Sequence, residues 1–531
     1  MLKKILLLAT AAVFLLSVTL FDPATISRWI EKAIGWEALS EQSTYAENPS
    51  IRTAVSQIDA SGLERHLQAL TSDASRVTGY PGAENAARYL EDEFRLLGIE
   101  VASESFPLSV PIDLGGKLRI IESGTTVPIH GLWPNHVRTT SLPPDGLDGH
   151  IVDLGRGRLQ AMDGKRLKGS IALMGFGSGN AYVEARALGA AAVLFYDDGR
   201  VTRSEAAEKF LQVPVDIPRF WLEAVDAKLL REHAKNGESK VHLDARMDWQ
   251  QVEARNLLAV LPGLAEDMPL GQRQKTQQWK DQVIVIQAHY DAISVVPALA
   301  PGAESATGIA ALLEVARLLV KEGTRYTVVF LATPGHFEGL AGVNDFLYRH
   351  ARTSEYFRDK IPTAEHIDFR LFIGLDLSSH SSQVGTFTMG TFYNSVWGNN
   401  DYQKNLMAHY STRFGQYNRE IFSDSTRYQD AVAPKKRVWK NFMPTRLALD
   451  SEASAFVGKE ALSFVTPNQL RQRVDTPLDK LEFVELDNLA EQTRTIAGLI
   501  LKATSDPDFF NDTKLSLRDW GHSLEGNIYW F

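Results

Sequence analysis

The sequence predicts an α/β fold: a mainly parallel, mixed sheet flanked by helices on both sides, with a β-rich unit inserted into it. Three observations predict this. In the second half, near-continuous apolar runs alternate with amphipathic helical stretches, the pattern of strands buried on both faces. Between about 118 and 250 the pattern changes to brief apolar runs broken by turns. Polar residues able to do chemistry follow the apolar runs directly, where open parallel sheets collect their ligands.

The 531 residues, 44% hydrophobic, are enough for two or three domains with ample cores. A net charge of −9 without a long basic run argues against a nucleic-acid surface, and none is expected. There is no cysteine, so disulfides and thiolate metal sites are excluded and any metal must be held by His, Asp or Glu.

Lys3 and Lys4 precede an apolar stretch from Ile5 to Phe21 that as a helix would extend about 26 Å, close to the thickness of a bilayer core. This reads as an export signal. No A-x-A cleavage pattern follows it, so residues 1–22 are expected to be a signal peptide or, preferentially, an uncleaved N-terminal membrane anchor with an extracytoplasmic chain beyond it. Residues 23–50 read as a linker. Helical periodicity in LERHLQALTSD and AARYLEDEFRLLG, with the loop SRVTGYPG between them, assigns 51–117 to the first part of the main domain. The runs GHIVDLG, GSIALMGFGSG and AAAVLFYDD, with the helix-like YVEARALGA before the last, make 118–250 an insert.

The main domain resumes at 251–505. Strands are expected at Val283–Gln287, Thr327–Ala332 and Leu371–Leu375. A helix over Thr307–Val320, closed by Gly323, is expected to bury Ile309, Leu312, Leu313, Ala316 and Leu319 on one face. Residues 506–531 form a polar tail ending in GNIYWF, whose aromatics invite packing against a further domain or a membrane surface.

Three strand ends aim at one crevice. His289 and Asp291 follow the first, Gly335 to Glu338 the second, and Asp376 ends the third. Each alone reads as an ordinary surface residue; together they predict a site. The glycine-rich stretch 175–179 is a weak phosphate cradle by comparison, and neither a G-x-S-x-G elbow nor an H-E-x-x-H motif is present.

These landmarks, in this order, resemble the two-zinc exopeptidases of clan MH, family 28. That family includes bacterial aminopeptidases, glutamate carboxypeptidase and the non-catalytic transferrin receptor. The resemblance rests on Arg76–Gly82, AHYDA at 288–292, PGAESATG at 301–308, TPGHFEGLAG at 333–342, IGLDLSS at 373–379 and RVDTPLDK at 473–480, and runs from Ser56 to Ala503. It implies a zinc-exopeptidase-like sheet with a protease-associated domain as the insert.

Carried over position by position, the resemblance makes His289, Glu304 and Asp376 metal ligands, with Asp291 orienting the His289 imidazole. Glu304 stands where the bridging Asp belongs. His336 replaces the general-base Glu and Phe337 replaces a ligand Glu, while Asp475 replaces the last ligand His with Thr476, Pro477 and Asp479 keeping the frame. An imidazole at 336, with an ordinary pKa of about 6.5, is a possible replacement base. Glu338 becomes a ligand only if its loop slips by one residue. Asp450 and Glu452, in DSEASAF, stand where relatives carry a substrate-side loop, so the expectation is that one of them lines the pocket or, preferentially, that they are solvated loop carboxylates.

His289, Glu304, Asp376 and Asp475 together offer one nitrogen and three carboxylates, a set suited to Zn²⁺ at one site, to Ca²⁺, Mg²⁺ or Mn²⁺ as an alternative, or to no metal. Without a cation these acids, with Asp291, would repel one another, one is expected to take up a proton, and added metal is expected to stabilise the fold. Two functions follow. One is a degenerate, non-catalytic peptidase fold with a binding or scaffold role toward a peptide or protein ligand. The other is an active metal-dependent exopeptidase or amide hydrolase using one or two metals.

Overall fold

The computed structural model describes residues 49–210, 215–235, 239–263, 282–351, 369–390, 401–432 and 439–510. The expected signal or anchor, nearly all of the linker and most of the tail lie outside the described residues. Among the described residues no helix is long and apolar enough to cross a membrane.

Three helices open this part of the chain: α1 (Pro49–Val55), α2 (Ala60–Leu70) and α3 (Pro81–Leu96). Asp59 starts α2 by accepting from the Gly62 N–H at 2.9 Å, and Pro81 occupies the first turn of α3, where its missing N–H costs nothing. Two unusually long strands follow, β1 (Val101–Ile120) and, much later, β7 (Lys240–Leu261), paired antiparallel along nearly their whole length.

Between them lie β2 (Thr126–Gly131), β3 (Leu147–Gly155), β4 (Ser170–Gly175), α4 (Ala181–Ala187), β5 (Ala192–Tyr196), α5 (Arg203–Ala207), β6 (Arg219–Leu222) and α6 (Ala224–Lys235). The pairings run β1-β2-β6-β5-β4-β3-β7, and β7 returns to β1, so these seven strands close into a ring. Its two faces carry separate apolar clusters. One is built from Leu118, Ile171, Leu194 and Phe220, the other from Met174, Phe176, Phe195 and Trp221. Residues 118 and 250, the expected limits of the insert, both fall inside the long strands rather than in loops, because β1 and β7 serve the ring and the main sheet alike.

On its other side β7 pairs with β9 (Thr327–Thr333), and the sheet continues through β8 (Val283–His289), β10 (Phe369–Asp376), β13 (Glu460–Val465), β11 (Val384–Phe387) and β12 (Tyr428–Asp430). The β9-β8-β10-β13 core is parallel, with β7 and β11 antiparallel beside it. Helices α7 (Thr307–Glu322), α8 (Ala341–His350), α9 (Asp401–Phe422), α10 (Asp450–Phe456) and α11 (Leu486–Ser505) complete the fold.

The three expected strands form, each extended by one to three residues, so that His289 and Asp376 are the last residues of β8 and β10. Helix α7 ends at Gly323 as expected, but it is buried all round rather than on one stripe. Ala310, Ala311, Val315 and Leu318 are as inaccessible as the expected face, because α2, α3 and α11 pack over the side turned from the sheet. Its first turn presses on β10: a Cβ on Gly308 would lie 2.5 Å from the Leu375 carbonyl oxygen. Gly308→Ala is therefore expected to cost about 1–3 kcal/mol or more. The check is the denaturant midpoint, and an unchanged midpoint would contradict the close packing.

Candidate functional site

The ends of β8, β9 and β10 open on one side of the sheet, and the loops leaving them are tightly turned. Gly335 and Gly339 take positive φ, and so does Leu340 at 61°, a conformation a branched side chain adopts only under constraint from its surroundings. Asp291 gathers this region. Fully buried, it accepts from the His336 backbone N–H at 3.0 Å and from Thr78 Oγ1 at 3.3 Å, and its other oxygen lies 3.2 Å from His289 Nδ1.

His289 and His336 stack, with ring centroids 4.2 Å apart and planes inclined at 17°. Phe337 meets both rings edge-on, at 5.4 and 4.8 Å. His336 is held by a residue expected to be solvated: Asp450, buried at the start of α10, lies 2.8 Å from its Nδ1. Burial alone would lower the His336 pKa, but the Asp450 charge and hydrogen bond raise it to about 9, and Asp291 and Asp376 add to the rise. Asp450 is shifted the opposite way, held below the usual carboxylate range by His336 against its own burial. An imidazole that carries its second proton has no lone pair with which to take a proton from water, so the pairing with Asp450 works against His336 as a replacement base.

The expected ligands do not converge. Among the described residues no group of three or more His, Asp or Glu is placed to hold a metal ion. Asp376 is paired through its carboxylate with Arg471 Nη1, and Arg471 Nη2 donates to the Asp376 backbone carbonyl at 2.9 Å. Asp475, at a left-handed φ of 69°, accepts from Arg203 Nε at 2.8 Å. Glu304 accepts from the Ser379 N–H at 2.8 Å and from Ser379 Oγ at 2.6 Å, and His380 Nε2 lies 3.1 Å from it. The four-ligand cluster of His289, Glu304, Asp376 and Asp475 is thus not assembled, since each of its carboxylates is engaged elsewhere. A metal would have to displace two guanidinium groups and meet the Phe337 ring, so this donor set does not fit a metal pair as it stands.

Two acids nearby are pushed up. Asp479, which accepts from the Glu304 backbone N–H at 2.8 Å, rises to about 7 through burial and the Glu304 charge. Glu338 rises to about 8 through burial and the charge of Asp291, and its Oε2 has no hydrogen-bond partner. Its loop has not slipped. The Leu340 N–H bonds the His336 carbonyl at 3.1 Å, closing the turn with His336 and Phe337 in the register the sequence predicts.

Sequence reasoning missed Arg471, Arg203, Ser379 and His380, and misplaced Asp450. A local signal existed for Arg471, which stands a few residues before the altered RVDTPLDK motif. None existed for Arg203, which comes from the ring of strands, 272 residues away from Asp475 in sequence.

No curated protein sequence matches this chain. Among solved structures it is similar to a zinc aminopeptidase from Bacillus subtilis, at 16% identity and a TM-score of 0.51, covering 85% of this chain and 96% of that one. It is also similar to an aminopeptidase from Aneurinibacillus sp. strain AM-1, at 20% identity and a TM-score of 0.45, covering 86% and 96%. A glutaminyl cyclase from Fimbriiglobus ruber matches at 13% identity and a TM-score of 0.39, covering 84% and 95%. The first likeness shows the fold. The model of peptidase family M28 matches residues 270–500, which hold β8, β9, β10, β13 and all the crevice loops that follow them, so this part of the chain is similar to that family.

Proposed function

We propose that this chain is a non-catalytic member of that family, exported, anchored by residues 1–22 and carrying a protease-associated-like insert, whose crevice holds a peptide or protein ligand without cleaving it. The observation that carries the reading is the pairing of Asp376 with Arg471 and of Asp475 with Arg203, which takes two of the expected ligands out of use. Phe337, which has no donor atom, and His336, locked to Asp450, support it from the side where a base and a ligand would stand. The alternative, an active metal-dependent exopeptidase or amide hydrolase, is favoured by one feature, the buried His289 and Asp291 pair.

The two differ in a direct measurement. A panel of aminoacyl and dipeptide substrates supplied with Zn²⁺, Mn²⁺, Co²⁺ or Ca²⁺ is expected to show no turnover, and His289→Ala to change nothing. Turnover that disappears in His289→Ala would overturn the non-catalytic reading.

A further inference from the structure

Five of the carboxylates around the crevice each face a basic group supplied by the protein. Asp376 faces Arg471, Asp475 faces Arg203, Asp450 faces His336 and Glu304 faces His380. Asp291 faces His289 and lies near the buried Arg76 guanidinium, which feels its charge. A pair of divalent ions would need these same oxygens, since zinc takes about four ligands and harder ions about six to eight.

The two arginines are fixed rather than draped over the surface. Arg471, whose side chain is 7% exposed, grips Asp376 at both its carboxylate and its carbonyl, from a backbone turned to φ 49°. Arg203 donates from Nε to Asp475 and from Nη2 to the Arg446 carbonyl at 3.1 Å, while its backbone N–H bonds the Gln472 carbonyl at 2.6 Å. A planar guanidinium with several donors suits such multi-point contact. A buried ion pair such as that of Arg471 with Asp376 is costly to assemble, and a site that binds metal gains nothing from spending its ligands on it.

We infer that Arg471 and Arg203 supply, as permanent parts of the chain, the positive charge that a metal pair would supply, so that the crevice keeps its shape without a divalent cation and takes one up only when an arginine is removed. The inference rests on the non-catalytic reading above and reverses the expectation, drawn from the acids alone, that metal stabilises the fold.

The test uses the full chain. Metal content by elemental mass spectrometry and melting temperature are measured with a chelator and with added Zn²⁺, Mn²⁺ or Ca²⁺, for the wild type, Arg203→Ala, Arg471→Ala and Arg471→Lys. The wild type is expected to carry well under one metal per chain and to melt at the same temperature in every condition. Arg203→Ala and Arg471→Ala are expected to melt lower and to recover part of the loss with a divalent cation, reversibly with chelator, whereas Arg471→Lys keeps its charge and shows no such response. Arg203 is one-fifth exposed, so Arg203→Ala provides the reading should Arg471→Ala fail to fold.

Stoichiometric metal in the wild type, a chelator-dependent fall in its melting temperature, or a folded Arg203→Ala without any cation response would each overturn the inference. Peptide turnover in the same preparations separates the two claims. A metal-free wild type that cleaves peptides sinks the non-catalytic reading alone, and a metal-loaded wild type that cleaves none sinks the inference alone.

Discussion

Arg471→Ala is expected to destabilise the protein by about 3–5 kcal/mol, the usual cost of breaking a buried ion pair by removing one partner. The size follows from what is left behind. Asp376 ends the central strand β10 with its side chain 11% exposed, and without Arg471 its charge loses its direct hydrogen-bonded partner and finds little water. The same substitution removes the donor to the Asp376 carbonyl, a second polar group that then goes unsatisfied. Removing both charges at once, as in Arg471→Met with Asp376→Leu, is expected to cost much less, because a buried pair replaced by apolar groups is often close to neutral. Urea unfolding of the two single variants and the double variant measures the coupling. Additive losses would mean that the two side chains do not depend on each other.

The pairing of His336 with Asp450 carries the second large effect and gives it a pH signature. The His336 pKa is raised from 6.5 to about 9, so the stability it contributes is fully present below pH 6.5 and is lost as pH rises through about 9. The loss across that window is on the order of 3 kcal/mol. Asp450 is shifted downward, so its contribution is present above its ordinary value of 3.8 and is lost as pH falls through its lowered pKa. The pair is therefore at full strength between these limits. Asp450→Asn removes the charge that holds the imidazole protonated and is expected to flatten the alkaline fall while lowering stability at neutral pH. Denaturant titrations of the wild type and Asp450→Asn from pH 6.5 to 9 test this, and parallel curves would show that His336 titrates elsewhere.

The fold was legible because its signals are local. The run VIVIQAH is largely apolar and ends in a polar residue, and the same grammar recurs at Thr327–Thr333 and Phe369–Asp376, so both the parallel sheet and the crevice could be read from three segments. The expected one-sided burial of α7 failed because alanines at 310 and 311 do not reveal whether a third layer covers them; α2, α3 and α11 do. The site was legible as positions and illegible as partnerships. That Asp376 and Asp475 lie at the crevice follows from the landmarks, but the side chains that neutralise them come from a turn before the last motif and from a helix of the strand ring. Asp450 was misjudged for the same reason. A carboxylate at a helix start is ordinarily solvated, and only its approach to His336, 114 residues earlier, makes it a buried counter-ion.

The long strand β1 has a further consequence, for how copies of the chain meet one another. From Val101 to about Asp113 it pairs with β7 on one side, and no other described strand lies on its outer side until β2 begins to pair at Gly116. An extended edge is a template for pairing with a second chain, and side chains cover part of this one: Arg349 donates to the Ser105 carbonyl at 2.8 Å, and the Tyr80 hydroxyl donates to the Pro111 carbonyl at 3.2 Å and accepts from the Asp113 N–H at 2.7 Å. Pro107 and Pro111 have no N–H to offer along it and, four residues apart, interrupt the same side of the strand, while the register shift between Asp113 and Gly116 bends it before the ring begins. The stretch that joins the two halves of the molecule is thus also guarded against self-association, and a Pro107→Val, Pro111→Val chain would lose that guard.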